Sequence, residues 1–238
     1  MIKLFRNIRQ SLLMENKTSK YLKYAIGEIV LVVIGILIAL QVNNWNENRK
    51  IKQKQMVFLS NVKQDLNNDL LQLEKIIDYQ TEKLNMVIEL KDELISENKD
   101  FKTIERLFSS LQNTSNDTFF ANTGAYTTSG SSGILDNLEP DSLKIAITTL
   151  YERYYKRLIY NGEIYDNRTD EIVMLRGKYF NKLNSTLTSE AVIHDSEFMN
   201  LTSVALYNNT NYVNLSNTTK TEIAKVIAQI DANLKNSQ

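Results

Sequence analysis

Cysteine is absent from this 238-residue sequence, and histidine and proline each occur once. Without cysteine the sequence holds no disulfide, no thiol nucleophile and no thiolate ligand for zinc or an iron–sulfur cluster. A single histidine, His194, excludes every site that needs two imidazoles. Seven glycines and one proline are also few, because folds rich in strands need many of both at their turns. The scarcity of turn residues predicts an all-α fold.

The sequence also has no excess of charge of one sign, because its 28 Lys and Arg residues equal its 28 Asp and Glu residues in number. A balanced chain is not drawn to nucleic acid by its net charge, so we expect no nucleic-acid partner. The sequence also lacks a Gly-rich phosphate loop and a Ser-His-Asp arrangement. We therefore expect a protein that is not an enzyme and that uses no cofactor or metal ion.

What the sequence does hold is one long apolar run, AIGEIVLVVIGILIALQV, at residues 25–42. As a helix these 18 residues would extend about 27 Å, close to the thickness of the hydrocarbon core of a bilayer. Aromatic residues typical of a membrane interface flank the run, with Tyr21 and Tyr24 before it and Trp45 after it. The pattern predicts a transmembrane helix at residues 24–45. Since no small-x-small cleavage site follows the run, we expect an uncleaved anchor.

Basic residues flank the apolar run, with an excess on its N-terminal side. They are Lys3, Arg6, Arg9, Lys17, Lys20 and Lys23 before the run, and Arg49, Lys50, Lys52 and Lys54 after it. By the positive-inside rule, residues 1–23 are expected to be cytoplasmic and residues 46–238 to lie across the membrane. Residues 2–14 fit either a short amphipathic helix on the inner leaflet or a plain charged N-terminal region.

Three residues within the run are candidates for contacts between membrane helices. Gly35 and Ala39 form a small-xxx-small step, which lets two helix backbones approach closely. Glu28 lies about one turn inside the run, where a carboxylate either reaches back to the interface or pairs with a lysine of a neighbouring chain. We expect the lipid bilayer and a protein as partners, the latter being a second copy of this chain or another membrane protein.

The same region resembles a known family. Residues 20–30 (KYLKYAIGEIV), 35–40 (GILIAL) and 43–47 (NNWNE) are similar to the opening of DUF6090, an uncharacterised family from Gram-negative bacteria. The resemblance covers residues 1–50. It implies a protein of the bacterial inner membrane with a helical C-terminal domain, which the orientation above would place in the periplasm. The resemblance supplies no activity, ligand or catalytic residue.

Beyond the run, apolar residues recur at steps of three, four or seven, which is typical of one face of a helix. They are Leu59, Val62, Leu66, Leu70, Leu73, Ile77, Leu84, Val87 and Leu94. Residues 29–97 contain no proline and one glycine, Gly35. The pattern therefore predicts one nearly continuous helix that leaves the membrane.

Five further helical segments are predicted, and most of the turn residues lie between 113 and 140. The helices predicted at residues 50–95 and 141–184 have similar lengths, which favours their packing as an antiparallel hairpin. The fold class expected for residues 46–238 is therefore an all-α, elongated antiparallel helical bundle. The five segments are 102–112, about 119–126 with Gly130 or Gly133 at its end, 141–184 after Pro140, 196–208 and 218–235.

Tyrosines concentrate in the segment 141–184, at positions 151, 154, 155, 160, 165 and 179. They could line a cleft for a small-molecule ligand, but we favour rings that pack in the core with their hydroxyls at the edge of the bundle. An anchor, long apolar seams and no catalytic constellation favour a membrane-anchored interaction or scaffold protein. The alternative is a periplasmic ligand-sensing bundle that signals through a partner membrane protein.

Overall fold

The computed structural model describes residues 18–112 and 117–236, so the prediction for residues 2–14 falls outside the described residues. An all-α fold is confirmed, and the elements include one pair of two-residue strands. In chain order the elements are α1 (Thr18–Ile95), α2 (Phe101–Gln112), α3 (Gly124–Ser132), α4 (Asp141–Thr149), a π-helical segment (Leu150–Tyr155), α5 (Lys156–Arg176), β1 (Phe180–Asn181), β2 (Thr186–Leu187), a 3₁₀ helix (Glu190–His194) and α6 (Ser196–Asn236).

The chain divides into two compact units, Met1–Lys54 and Gln55–Gln238. Helix α1 is continuous over Thr18–Ile95, which confirms the predicted unbroken helix. In the first unit its large apolar side chains from Ile26 to Trp45 are exposed, and Leu31 is an example at 66%. Within the described part of the chain, α1 is the one helix long and apolar enough to cross a membrane, judged by length and composition. None of its most apolar 18-residue window is buried by the rest of the chain.

In the second unit, three long helical stretches each bury one face: α1 from residue 55 onward, the stretch from α4 through α5, and α6. The buried positions of α1 alternate steps of three and four, the spacing by which neighbouring helices interlock their side chains. They are Leu59, Val62, Leu66, Asp69, Leu73, Ile76, Gln80, Lys83, Val87, Leu90 and Leu94, and Phe58 is buried beside the first of them. This repeat passes through three polar residues, whereas the seam predicted from apolar residues alone stepped around them.

The stretch from α4 through α5 runs parallel to α1. Tyr155 bonds Asp69 and Tyr165 bonds Gln80, so the contacts advance in the same direction along both helices. The predicted antiparallel hairpin of the first two long helices is therefore wrong. That prediction rested on the matched lengths of the two helices, but residues 117–137 run back along α1 before α4 begins.

Residues 117–137, here called the return segment, run antiparallel to α1 and are fastened to it by its polar side chains. Three backbone amides of the segment donate to carboxylate or carboxamide oxygens of α1, and at its two ends a backbone carbonyl accepts from a glutamine carboxamide of α1. The bonds join Gln80 Nε2 to Asp117 O, Phe120 N to Gln72 Oε1, Asn122 N to Asp69 Oδ1, Ala125 N to Asp65 Oδ2, and Gln55 Nε2 to Asn137 O.

Helix α3 begins later than predicted. Phe119 and Phe120 were expected inside it, but the chain is non-helical from residue 117 to 123. Their amides bond the Tyr212 hydroxyl and the Gln72 side chain instead of carbonyls in their own segment. Gly133 ends α3 in the left-handed conformation with φ 65°, which confirms one of the two glycines proposed for that position.

The helix predicted to reach residue 184 ends at Arg176. The chain then forms the β1–β2 hairpin, in which Phe180 pairs with Leu187 and both side chains are buried. The Phe180 ring meets Phe108 of α2 edge to face, with 5.5 Å between ring centres. Packing of these residues against α2 explains why the helix gives way to a hairpin.

Helix α6 is a single element where two shorter helices were predicted. Residues 209–217 contain neither glycine nor proline, and buried side chains continue through them. The helix runs antiparallel to α1, because Lys63 pairs with Asp231 and Glu74 with Lys220. The third long helix thus supplies the antiparallel packing of the bundle.

Candidate functional site

The residues predicted to lie at the membrane interface belong to the first unit. The backbone of α1 passes through Tyr21 and Tyr24. Trp45 is 65% exposed, and the guanidinium of Arg49 lies 5.9 Å from the centre of its ring. An exposed tryptophan beside a cation is compatible with a lipid–water boundary. The interfacial role of these three aromatic residues stays a prediction.

Glu28, Gly35 and Ala39 share one face of α1, because steps of seven and four return to the same side of a helix. A Cβ atom built on Gly35 would meet no atom within 4 Å, so space for a second helix is open there. Ala39 is exposed and Glu28 is partly buried. Their contact with another helix likewise stays a prediction.

The first polar cluster of the bundle is centred on Asp69, which has no exposed surface. Its carboxylate accepts hydrogen bonds from the Tyr155 hydroxyl at 2.7 Å and from the amide and side chain of Asn122 at 2.9 and 2.7 Å. The π-helical segment brings both Tyr151 and Tyr155 to the buried side. We call Asp69, Asn122 and Tyr155 the Asp69 cluster.

Burial governs the electrostatics of the Asp69 cluster. It raises the pKa of the Asp69 carboxyl, because the charged form loses its hydration, while the bonds from Tyr155 and Asn122 partly oppose the shift. Burial and the neighbouring carboxylate of Asp69 together raise the pKa of Tyr155. The tyrosine therefore remains a hydrogen-bond donor throughout the physiological range.

The second polar cluster lies where the three long helices meet, between two apolar parts of the core. The Tyr165 hydroxyl lies 2.9 Å from Gln80 Oε1 and 2.8 Å from Asn209 Oδ1, and it accepts from Lys83 Nζ at 3.1 Å. All four side chains are buried. We call Gln80, Lys83, Tyr165 and Asn209 the polar layer.

Two buried cations lie at the polar layer. Burial lowers the pKa of Lys83 to about 8, the nearby charge of Arg176 adds to that shift, and Asp166 opposes it. Burial lowers the pKa of Arg176 to about 10. The guanidinium of Arg176 lies 5.1 Å from the centre of the Phe108 ring, which replaces part of its lost hydration.

Sequence reasoning missed both polar clusters. It expected tyrosine hydroxyls at the bundle edge, yet those of Tyr155 and Tyr165 bond polar residues of α1 in the interior. The sequence does carry a signal for them. The alternating steps of three and four residues along α1 continue through Asp69, Gln80 and Lys83 when polar residues are counted as core positions. An apolar seam alone could not reveal these positions.

Metal-ligating side chains do not gather in the described residues, where no group of three or more His, Asp or Glu is placed to hold a metal ion. His194 is the last residue of the 3₁₀ helix Glu190–His194. The polar chemistry of the bundle is therefore that of buried hydrogen bonds and buried cations.

Comparison with known proteins gives one match. The model of a family described as "Family of unknown function (DUF6090)" matches residues 28–210, most of the chain. No curated protein and no solved structure matches the chain. The resemblance noted at residues 1–50 therefore extends well into the helical bundle.

Replacement of Asp69 should destabilise the bundle strongly. Asp69→Ala leaves buried donors of Tyr155 and Asn122 without an acceptor, so we expect the free energy of unfolding to fall by about 2–5 kcal/mol. Asp69→Asn keeps one acceptor oxygen and should cost less. Urea unfolding of the full chain in detergent measures this, with the exposed Asp78→Ala as a control expected within about 0.5 kcal/mol of wild type. Equal losses in Asp69→Ala and Asp78→Ala would contradict the assignment.

The raised pKa of Asp69 also predicts a pH dependence. Between the ordinary value of 3.8 and the higher folded value, the folded state holds a proton that the unfolded state has lost. The free energy of unfolding should therefore fall as pH rises through that window. Asp69→Asn cannot ionise, so the stability difference between wild type and variant should change as pH rises above the ordinary carboxyl pKa of 3.8. A constant difference over this range would show that folding leaves the carboxyl pKa unchanged.

Proposed function

We propose that this chain, which belongs to DUF6090, a family of unknown function, is a membrane-anchored helical interaction protein. The observation that carries the proposal is the 18-residue window of α1 with a mean hydropathy of 2.6, none of which the chain buries itself. An apolar helical surface of this length is stable in lipid rather than in water. In this proposal the helical bundle is the part of the chain that binds partner proteins.

The membrane in this proposal is the bacterial inner membrane. The excess of basic residues before the span favours an N-terminus in the cytoplasm and a bundle in the periplasm. The chain holds no cysteine, so its core needs no disulfide in an oxidising compartment. Its stability rests instead on the interlocked faces of three long helices.

The two cavities described in the second unit are small. Two cavities in the bundle have volumes of about 30 and 10 Å³. Sites for organic substrates and cofactors usually need about 300–1,000 Å³. The buried tyrosines are also occupied in bonds between helices, as for Tyr155 with Asp69. The tyrosines that bond within the core therefore favour a binding surface on the outside of the bundle over a cleft that they would line.

A second candidate function is a ligand-sensing bundle that signals through a partner membrane protein. One observation favours it: three buried donor nitrogens, on Arg176, Asn208 and Asn209, have no hydrogen-bond partner. Recovery of a defined membrane partner after detergent solubilisation fits both candidates. A small molecule that raises the melting temperature and changes this association would favour sensing.

The membrane anchor can be tested by replacing apolar residues in the span. We expect the full chain to stay in the membrane pellet after alkaline carbonate washing. Ile34→Arg with Leu37→Arg should release most of it, because each arginine costs about 2.5–3.5 kcal/mol at the centre of a membrane helix. Val57→Arg with Leu71→Arg is the matched control, since both residues are exposed on the second unit. Release of the wild-type chain by carbonate would contradict anchoring.

Self-association through the span is the simplest partner arrangement, with Gly35 and Ala39 at the contact. Gly35→Leu with Ala39→Leu should reduce dimer signal several-fold in a two-reporter membrane assay, because the larger side chains separate the two backbones. Val30→Leu with Val33→Leu changes the opposite face and should leave the signal unaltered. A wild-type signal no higher than that of a monomeric control would rule out the dimer. Equal loss in both double variants would rule out this face.

A further inference from the structure

A small cavity of about 10 Å³ lies beside the polar layer, and its polar lining consists mainly of hydrogen-bond donors. Lys83, Arg176, Asn208 and Asn209 line it with side chains at most 6% exposed. The fifth polar residue of the lining is Thr169, whose hydroxyl donates to Tyr165 O. Such a volume holds about one water-sized species. The cavity belongs wholly to the second unit, so it does not depend on the membrane helix.

Three donors at this cavity have no hydrogen-bond partner: Arg176 Nε, Asn208 Nδ2 and Asn209 Nδ2. The carboxamide oxygens are already engaged, because Asn208 Oδ1 accepts from Arg168 at 2.9 Å and Asn209 Oδ1 from Tyr165 at 2.8 Å. Because arginine can only donate, the bond from Arg168 fixes the Asn208 carboxamide with Nδ2 left over. The unmet need is therefore for an acceptor, because buried donors are almost always paired.

Charge around the cavity points to the same kind of ligand. Lys83 and Arg176 bring two positive charges, and no acidic side chain is among the described residues that line the cavity. Asp166 attracts Lys83 from outside the lining, whereas the buried guanidinium of Arg176 lies against the Phe108 ring and forms no ion pair with a carboxylate of the described residues. A ligand that is both negative and a hydrogen-bond acceptor would satisfy the donors and balance the remaining charge.

We propose that this cavity binds a small monovalent inorganic anion of the size of chloride or bromide. These halides are only slightly larger than a water molecule, whereas tetrahedral oxyanions such as phosphate and sulfate are much larger. The anion would lie between helices α1, α5 and α6 and hold the polar layer together. This inference stands apart from the proposed membrane role, since either can fail without the other.

The test compares the melting temperature of the full chain in detergent in sodium chloride, sodium bromide and sodium gluconate at equal ionic strength. Gluconate is too large for the cavity. We expect a saturable rise of about 2–6 °C with the two halides. Lys83→Met and Arg176→Met should abolish the rise, whereas the exposed Lys75→Met should keep it. Equal melting temperatures of the wild-type chain in halide and gluconate would overturn the proposal.

A second variant and a direct measurement guard against variants that fold poorly. Asn209→Asp supplies a built-in carboxylate, so its melting temperature in gluconate should match that of the wild type in chloride and should not respond to halide. Crystals of the wild-type chain grown in sodium bromide should give an anomalous peak between Lys83 and Arg176. Absence of that peak at saturating bromide would mean that the cavity holds water and that the proposal is wrong.

Discussion

The backbone of the return segment constrains the rest of the second unit. Residues 117–123 lie in neither helix nor strand, so their buried amides need partners outside their own segment. Gln72 and Asp69 of α1 accept from the amides of Phe120 and Asn122. Asp65 accepts from the Ala125 amide in the first turn of α3, so the bonded residues descend α1 as the return segment advances. The chain is thereby brought back to the beginning of the bundle before α4 starts. The second long stretch must then run parallel to α1.

Polar residues at core positions of α1 contribute less hydrophobic stabilisation than apolar residues would contribute there. A leucine fully buried at such a position would contribute about 1.5–3 kcal/mol. Polar residues in helical assemblies can fix the register of neighbouring helices at that expense. Tyr155 reaches Asp69 and Tyr165 reaches Gln80, so two separate turns of α5 and its π-helical segment are matched to two turns of α1. A slip by one turn would leave buried donors and acceptors unpaired.

Composition and spacing were enough to predict the helical class and the unbroken α1, because both depend on local properties of the chain. The direction of the second helix was not predictable in this way. It depends on bonds such as Tyr155–Asp69, whose residues are 86 positions apart in sequence. The buried seam was also misjudged: Leu70, Ile77 and Leu84 are partly buried, while Asp69, Gln80 and Lys83 are buried. Polar residues enter a core only where distant partners satisfy them, and an apolar pattern cannot reveal those partners.

The parallel order of the first two long helices is the central structural claim, and distances between spin labels test it most directly. The chain has no cysteine, so labels can be attached to introduced ones at the exposed positions Leu71, Tyr160 and Met174. Parallel order places Leu71 near Tyr160, with Met174 about 21 Å further along the helix axis. Double electron–electron resonance on the full chain should therefore give a shorter distance for the 71–160 pair than for the 71–174 pair. The opposite ranking would contradict the parallel order and the role of the return segment.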